Sequence, residues 1–330
     1  MVTREDVAKK CLVSTMTVTR VISGKGYVKA ETRRKVQKAI EELNYIPNKQ
    51  ASNLAHRKSN EIAVILPDLM NPYYLQIINS IMKEAVKYGY IVTIFKANEK
   101  ELPKVLQEII SIRVAGVINY SSAFPEKYIK ALETLQVKMI RQDGVANEAG
   151  IKLDYSNAID QAMDLLISKK VKIIFFISGM DEKYSRADPR VSLFLNSVKA
   201  HGLTADESSV IFGNYPEEDA FSVGYDLAFQ ILRGNKRPDA VFCMNDMMAF
   251  GVISAAKKCG LVLPDELAVI GFDNIYLSAY YDPSLSTISL DIENEAKMYF
   301  EFIADVEIDR NSYVNARFIE RDSTNFVAQK

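Results

Sequence analysis

Residues 6–23 constrain this chain more than any other stretch. Asp6-Val7-Ala8-Lys9-Lys10-Cys11-Leu12-Val13-Ser14 runs directly into Thr15-Met16-Thr17-Val18-Thr19-Arg20-Val21-Ile22-Ser23. Thr3 with Asp6 three residues on has the spacing of a capping box, and Val7, Ala8 and Cys11 then share one helical face. Ser14 is a good N-cap for a second helix, whose buried stripe is Val18, Val21 and Ile22. Thr15, Met16, Thr19 and Arg20 are left to face outward. Two short helices joined by a tight turn read as a helix-turn-helix, in which the second helix enters the DNA major groove. On these residues alone, a helical hairpin packed on another domain is the competing reading.

Charge separates the two. The chain carries a net charge of −1, yet residues 1–60 hold 13 Lys and Arg against 5 Asp and Glu, leaving 28 against 37 in the other 270 residues. A +8 head on a −9 body points to a head that seeks phosphate. Lys25, Lys29, Arg33, Arg34, Lys35 and Lys38 contribute to it, several on a third helix expected over residues 32–44, with Val36, Ala39, Ile40 and Leu43 as its apolar stripe. At 330 residues the chain is long enough for a small module and two further domains. Its three cysteines are scattered without metal-ligand spacing, its start is charged and helix-capping, and no apolar run reaches membrane length. These features predict a reduced, cytoplasmic protein without a signal peptide, membrane span, metal or cofactor.

At Tyr45-Ile46-Pro47-Asn48, followed by Ala51, Leu54 and Ala55, the pattern becomes specific. The chain resembles the lac repressor (LacI/GalR) family from about residue 3 to about 325. The resemblance is carried by D-V-A at 6–8, V-S-x-x-T-V-T-R-V at 13–21, T-R-x-K-V at 32–36 and L-N-Y-I-P-N at 43–48. It implies a small all-α helix-turn-helix head plus hinge helix, followed by an α/β two-lobed periplasmic-binding-protein-like body with parallel sheets. The expected boundaries are 1–47 for the head, 48–60 for the hinge and 61–330 for the body. Within the body, an N-lobe takes about 61–157 and 289–317, and a C-lobe about 158–288 and 318–330.

The resemblance also implies roles. Thr15, Met16 and Arg20 would face base edges, with Arg20 able to reach guanine bidentately. Ser14, Thr19, Tyr27, Tyr45 and Asn48 would contact phosphate. Lys49 to Arg57 would be a hinge helix folding in the minor groove, where Ala51 and Ala55 let two copies approach and Leu54 wedges open a base step. Three positions depart from the pattern: Leu12 stands where the turn glycine is usual, Lys29 where a hydroxyl residue precedes the third helix, and Ser52 where many relatives have Arg.

From Glu61 onward, short apolar runs such as Ile62–Leu66, Ile91–Phe95, Gly116–Ile118, Val137–Ile140, Lys172–Ile177, Ala240–Cys243 and Leu267–Ile270 alternate with amphipathic helical runs. That alternation means parallel sheets covered by helices, and about ten strands predict two similar lobes. Ligands of such sheets sit beyond the carboxyl ends of the strands, where Asp68 to Tyr74, Asn245-Asp246 and Gly271 to Asn274 fall. The candidate effector-binding residues are Asn71, Tyr73, Arg190, Tyr215, Asn245 and Asp273. Arg190 with Phe194 matches the family's ligand-arginine motif, although Leu193 replaces its glycine. Asn71 and Asn245 could equally be helix caps. A planar Arg with Asp and Asn partners suits a sugar or sugar phosphate.

The two histidines lack triad or metal spacing, and no P-loop follows a strand, so an enzyme is not expected. The expected function is a homodimeric transcriptional regulator, a repressor on palindromic double-stranded operator DNA, controlled by a small molecule in the interlobe cleft. The alternatives are a catabolite-control-type regulator whose coeffector is a phosphocarrier protein, a solute-binding protein, and a hydrolase on the same fold.

Overall fold

The computed structural model describes residues 2–24, 26–46, 59–121, 125–141, 151–203, 207–234, 236–306 and 313–326. The chain forms two compact units, residues 1–59 and 60–330.

In the first unit α1 (Arg4–Cys11), α2 (Thr15–Ser23) and α3 (Ala30–Glu42) enclose a small core of Val7, Ala8, Cys11, Val18, Val21, Val36, Ala39 and Tyr45. The Thr3–Asp6 capping box forms in both directions, and the Ser14 hydroxyl accepts from the Thr17 N–H. Between these caps Leu12 adopts the left-handed conformation, φ 55° and ψ 44°, with its side chain 88% exposed. A β-carbon there costs about 1 kcal/mol with no burial to offset it. Leu12→Gly is therefore expected to stabilise the head by up to about 1 kcal/mol, read as slower amide exchange in α1 and α2.

The third helix begins and ends two residues earlier than its apolar stripe suggests. Lys29 precedes it without a side-chain cap. Its end is set by Asn44 at φ 47°, with the Tyr45 N–H donating to the Ile40 carbonyl over 2.9 Å, a closure that draws Tyr45 back onto the core.

The second unit runs β1 (Glu61–Leu66), α4 (Pro72–Tyr88), β2 (Ile91–Lys96), α5 (Leu102–Ile112), β3 (Gly116–Asn119), α6 (Glu126–Thr134), β4 (Lys138–Arg141) and β5 (Lys152–Asp154). It continues through α7 (Ser156–Ser168), β6 (Ile174–Ile177), α8 (Glu182–Ala187), α9 (Pro189–Ala200), β7 (Val210–Ile211), α10 (Ala220–Leu232) and β8 (Ala240–Cys243). It closes with α11 (Asp246–Lys258), β9 (Ala268–Phe272), β10 (Ser286–Leu290), α12 (Ile292–Ile303) and β11 (Tyr313–Ile319). A four-stranded sheet, β2-β1-β3-β4, is parallel throughout.

The other sheet is larger than two similar lobes would give. Its seven strands lie in the order β5-β11-β10-β9-β8-β6-β7, and β10 and β11 pair antiparallel, Thr287 opposite Ile319. The helix α12 lies between these two strands, so strand-helix-strand alternation reads as a parallel crossover there and does not reveal the antiparallel return. Helices α10 and α11 meet through glycines: a β-carbon on Gly224 would lie 2.3 Å from the Met248 carbonyl oxygen, and one on Gly251 2.2 Å from that of Phe221. Among the described residues no helix is long and apolar enough to cross a membrane.

Candidate functional site

On the head, α2 turns Thr15, Met16 and Arg20 outward, Met16 being 59% exposed. Ser14, Arg20 and Tyr27 line one shallow recess of about 330 Å³ together with Lys29 and Thr32, so a cap hydroxyl, a phenol and two cations converge at the start of the outward helix. Thr19 is only half-buried, but its hydroxyl is committed inside the head: it donates to the Thr15 carbonyl and accepts from Arg4 Nη1. Tyr45 departs from its expected phosphate-contact role most clearly, because its ring is 7% exposed and forms part of the head core. Asn48, Ala51 and Leu54, with the rest of the expected hinge helix, lie outside the described residues.

In the body all six candidate residues line a single cavity of about 790 Å³. Elements following the carboxyl ends of several strands supply it: Asn71, Tyr73 and Tyr74 after β1, Tyr120 after β3, Tyr215 after β7, Asn245 after β8 and Asp273 after β9. Asn71 is both cap and cross-link. Its Oδ1 accepts from the Tyr73 N–H, and its Nδ2 donates to Asp273 Oδ2 at 3.5 Å. Asn245 Oδ1 accepts from the Met248 N–H and caps α11. Tyr215 donates from its hydroxyl to Asp68 Oδ2 at 3.5 Å. Gln76 on α4 spans to the segment after β9 twice, donating to the Asn274 carbonyl and accepting from the Tyr276 N–H.

Charge inside the cavity is held in specific ways. Arg190 Nε and Nη2 donate to the two oxygens of Asp188 at 3.0 and 2.7 Å, and Nη1 donates to the Met244 carbonyl. Burial works against the guanidinium's charge, but Asp188 more than offsets it and holds its pKa above the ordinary value. Asp273, at φ 109°, is pushed well above the carboxylate range, first by burial and then by Asp246, against the pull of Arg190 and Asn71. Burial likewise pushes Tyr73, Tyr120 and Tyr215 up, keeping them neutral donors. Asp246 lies behind this wall, fully buried. It accepts from the Ile275 N–H, the Ser278 hydroxyl and the Thr287 hydroxyl, and burial raises it to about 7. Its carboxylate also leaves no room for a side chain at Gly271, where a β-carbon would sit 2.2 Å from Asp246 Oδ1.

Sequence reasoning missed Asp188, Tyr120, Tyr155 and Tyr299, and it placed Tyr74 and Phe272 in the strand-end clusters without singling them out; all six line the same cavity. The available signal was compositional: 17 tyrosines and no tryptophan, and eight of those tyrosines face this one space.

Comparison with known proteins accounts for both units. Residues 3–48 match the model of bacterial regulatory proteins of the lacI family, and residues 163–324 match a periplasmic binding protein-like domain. Catabolite control protein A of Priestia megaterium is 31% identical over 293 residues, 87% of each chain. The HTH-type transcriptional repressor PurR of Klebsiella pneumoniae is 31% identical over 339 positions, covering 98% of this chain and 97% of its own. The chain belongs to the LacI family. It is thus a DNA-binding transcriptional regulator, with the helix-turn-helix in its head and a periplasmic binding protein-like domain in its body. A structure of the lac repressor dimer bound to operator and an anti-inducer superposes with a TM-score of 0.81 at 24% identity, covering 98% of this chain and 99% of that one, so the LacI fold extends along the whole length.

Proposed function

We propose that this LacI-family protein is a cytoplasmic homodimeric repressor whose affinity for a palindromic operator is set by a small, sugar-like molecule in the body cavity. It acts by binding rather than turnover. The observation that carries this reading is the convergence of Asn71, Tyr73, Arg190, Tyr215, Asn245 and Asp273 on one cavity. The cavity is crossed by bonds between elements of the two sheets, Asn71 to Asp273 and Tyr215 to Asp68, with Gln76 bridging to 274–276 alongside. A ligand inserted among these bonds changes the angle between the sheets, and by linkage operator DNA changes ligand affinity by the same factor. Leu75, Met82 and Val86 stand exposed on α4, and this uncovered apolar face supports a dimer in which a second copy covers it. The relative in Priestia megaterium named catabolite control protein A supports a second reading, a phosphocarrier protein as coeffector. Pull-down with phosphorylated carrier protein distinguishes the two.

The test begins with operator selection from random DNA by the full-length protein, followed by anisotropy titration with and without a sugar panel. Affinity is expected to fall roughly a thousandfold or more between about 50 and 200 mM salt, as counterion release from six or more phosphate contacts requires. A panel member is expected to shift affinity by about fivefold to 150-fold. Salt-independent binding, or operator affinity indifferent to every cavity ligand and to the carrier protein, overturns the reading.

A further inference from the structure

The cavity's inner wall holds a cation whose charge is already answered. Arg190 sits in the first turn of α9 with 21% of its side chain exposed, and Asp188, two residues earlier, is 13% exposed. The two parallel bonds between them match the guanidinium fork to the carboxylate, and the Met244 carbonyl takes a third N–H. The Phe272 ring lies 5.7 Å from the guanidinium carbon. Asp188 is itself fixed, since its Oδ1 also accepts from the Arg190 backbone N–H and caps α9. The pair is therefore built into the start of the helix.

We infer that the effector is an uncharged, hydroxyl-bearing solute with no phosphate or carboxylate directed at this wall, because Asp188 has pre-empted the positive charge of Arg190. The proposal rests on the cavity being the effector site. An anion placed against this wall meets a pair whose charges already cancel, and nothing in the pair repays the water it sheds. Two N–H donors of Arg190 remain, enough to share between vicinal hydroxyls. Burial shifts Asp273 toward its protonated form, in which it donates to the same kind of ligand. Arg141, Lys152 and Lys183 also line the cavity, but Arg141 ends β4 and the two lysines are exposed against the rings of Tyr313 and Tyr184, at 5.4 and 4.9 Å, so none of the three is part of the Asp188–Arg190 pair.

Asp188→Asn tests the assignment, since asparagine keeps the shape and the helix-capping oxygen while removing the charge. Asp188→Ser, another capping residue, guards against an effect peculiar to the amide. The full-length protein and both variants are titrated calorimetrically with glucose 6-phosphate, glucuronate and inorganic phosphate at matched ionic strength. Wild type is expected to show no saturable anion binding, and both variants are expected to bind at least one of these anions about tenfold or more tightly, the worth of a released charge-assisted bond. Saturable binding of any of them by wild type, or variants no better than wild type, overturns the inference. Because calorimetry reads binding itself, a ligand that binds without altering operator affinity counts against the repressor reading and leaves the charge assignment standing.

Discussion

Arg20→Ala is expected to cost at least about thirtyfold in operator affinity. Arg20 stands exposed on α2 beside the recess formed by Ser14 and Tyr27, on the helix that carries base readout in this motif. A bidentate arginine contact to guanine is worth about 1–3 kcal/mol, and a dimer on a palindrome makes it twice. The substitution leaves the head core of Val7, Val18, Val21 and Val36 untouched, so the loss is one of recognition rather than of folding. Anisotropy titrations on the selected operator and on random DNA separate two roles. A base contact loses affinity mainly on the operator, whereas a phosphate contact loses it equally on both and lowers the salt slope. Undiminished operator affinity would remove Arg20 from the interface altogether. Met16, apolar and 59% exposed at the start of the same helix, suits a thymine methyl rather than a hydrogen-bonding edge, and its effect is correspondingly smaller.

The second large effect is at Asp246. Its carboxylate gathers the Ile275 N–H, Ser278 and Thr287, and so ties the segment after β9 to β10 and to the start of α11. Asp246→Ala strands three buried donors at about 1 kcal/mol or more each, for a destabilisation of about 3–5 kcal/mol. For a body of this size that lowers the melting temperature by about 10 °C. The anchored segment carries Asp273 and Asn274, so the cavity loosens along with the fold. Asp246 also gives the body a pH dependence of definite sign. Its folded pKa of about 7 lies above the ordinary aspartate value of 3.8, so between these values the folded chain holds a proton that the unfolded chain has released. Stability from this group is complete below about pH 4, falls as pH rises through 7, and levels off above; Asp273, also raised, acts in the same direction. Urea midpoints from pH 4 to 8 are expected to decline in wild type and to decline less in Asp246→Asn. A midpoint rising over that window would contradict the assignment.

How far the chain can be read without its fold depends on the range of the interaction concerned. The Thr3–Asp6 box, the Ser14 cap and the apolar stripes of α1 and α2 formed as the residue spacing implies, because every partner lies within four positions. The left-handed turn at Leu12 was likewise visible as a leucine in a glycine's place. Tyr45 was not legible, since a single aromatic after a helix carries no sign of which way its ring folds. In the body, the rule that ligands gather at strand carboxyl ends brought Asn71, Tyr73, Asn245 and Asp273 to one cavity, and the family resemblance added Arg190 and Tyr215 to the same one. It did not show that Arg190 is spoken for: Asp188 reads as a helix cap, which it also is.

The sequence by itself determined the two-unit plan, the helix-turn-helix and the set of polar groups beyond the strands, because periodicity, capping and charge balance are properties of neighbours along the chain. The tertiary structure alone decided which of those groups are free to meet a ligand. Asp246 finds Ser278 and Thr287 at separations of 32 and 41 residues, and Asn71 finds Asp273 at 202. Burial then sets which carboxyls keep a proton, and proximity which cation keeps its charge to itself. Both depend on distances that exist only once the two sheets have closed around the cavity.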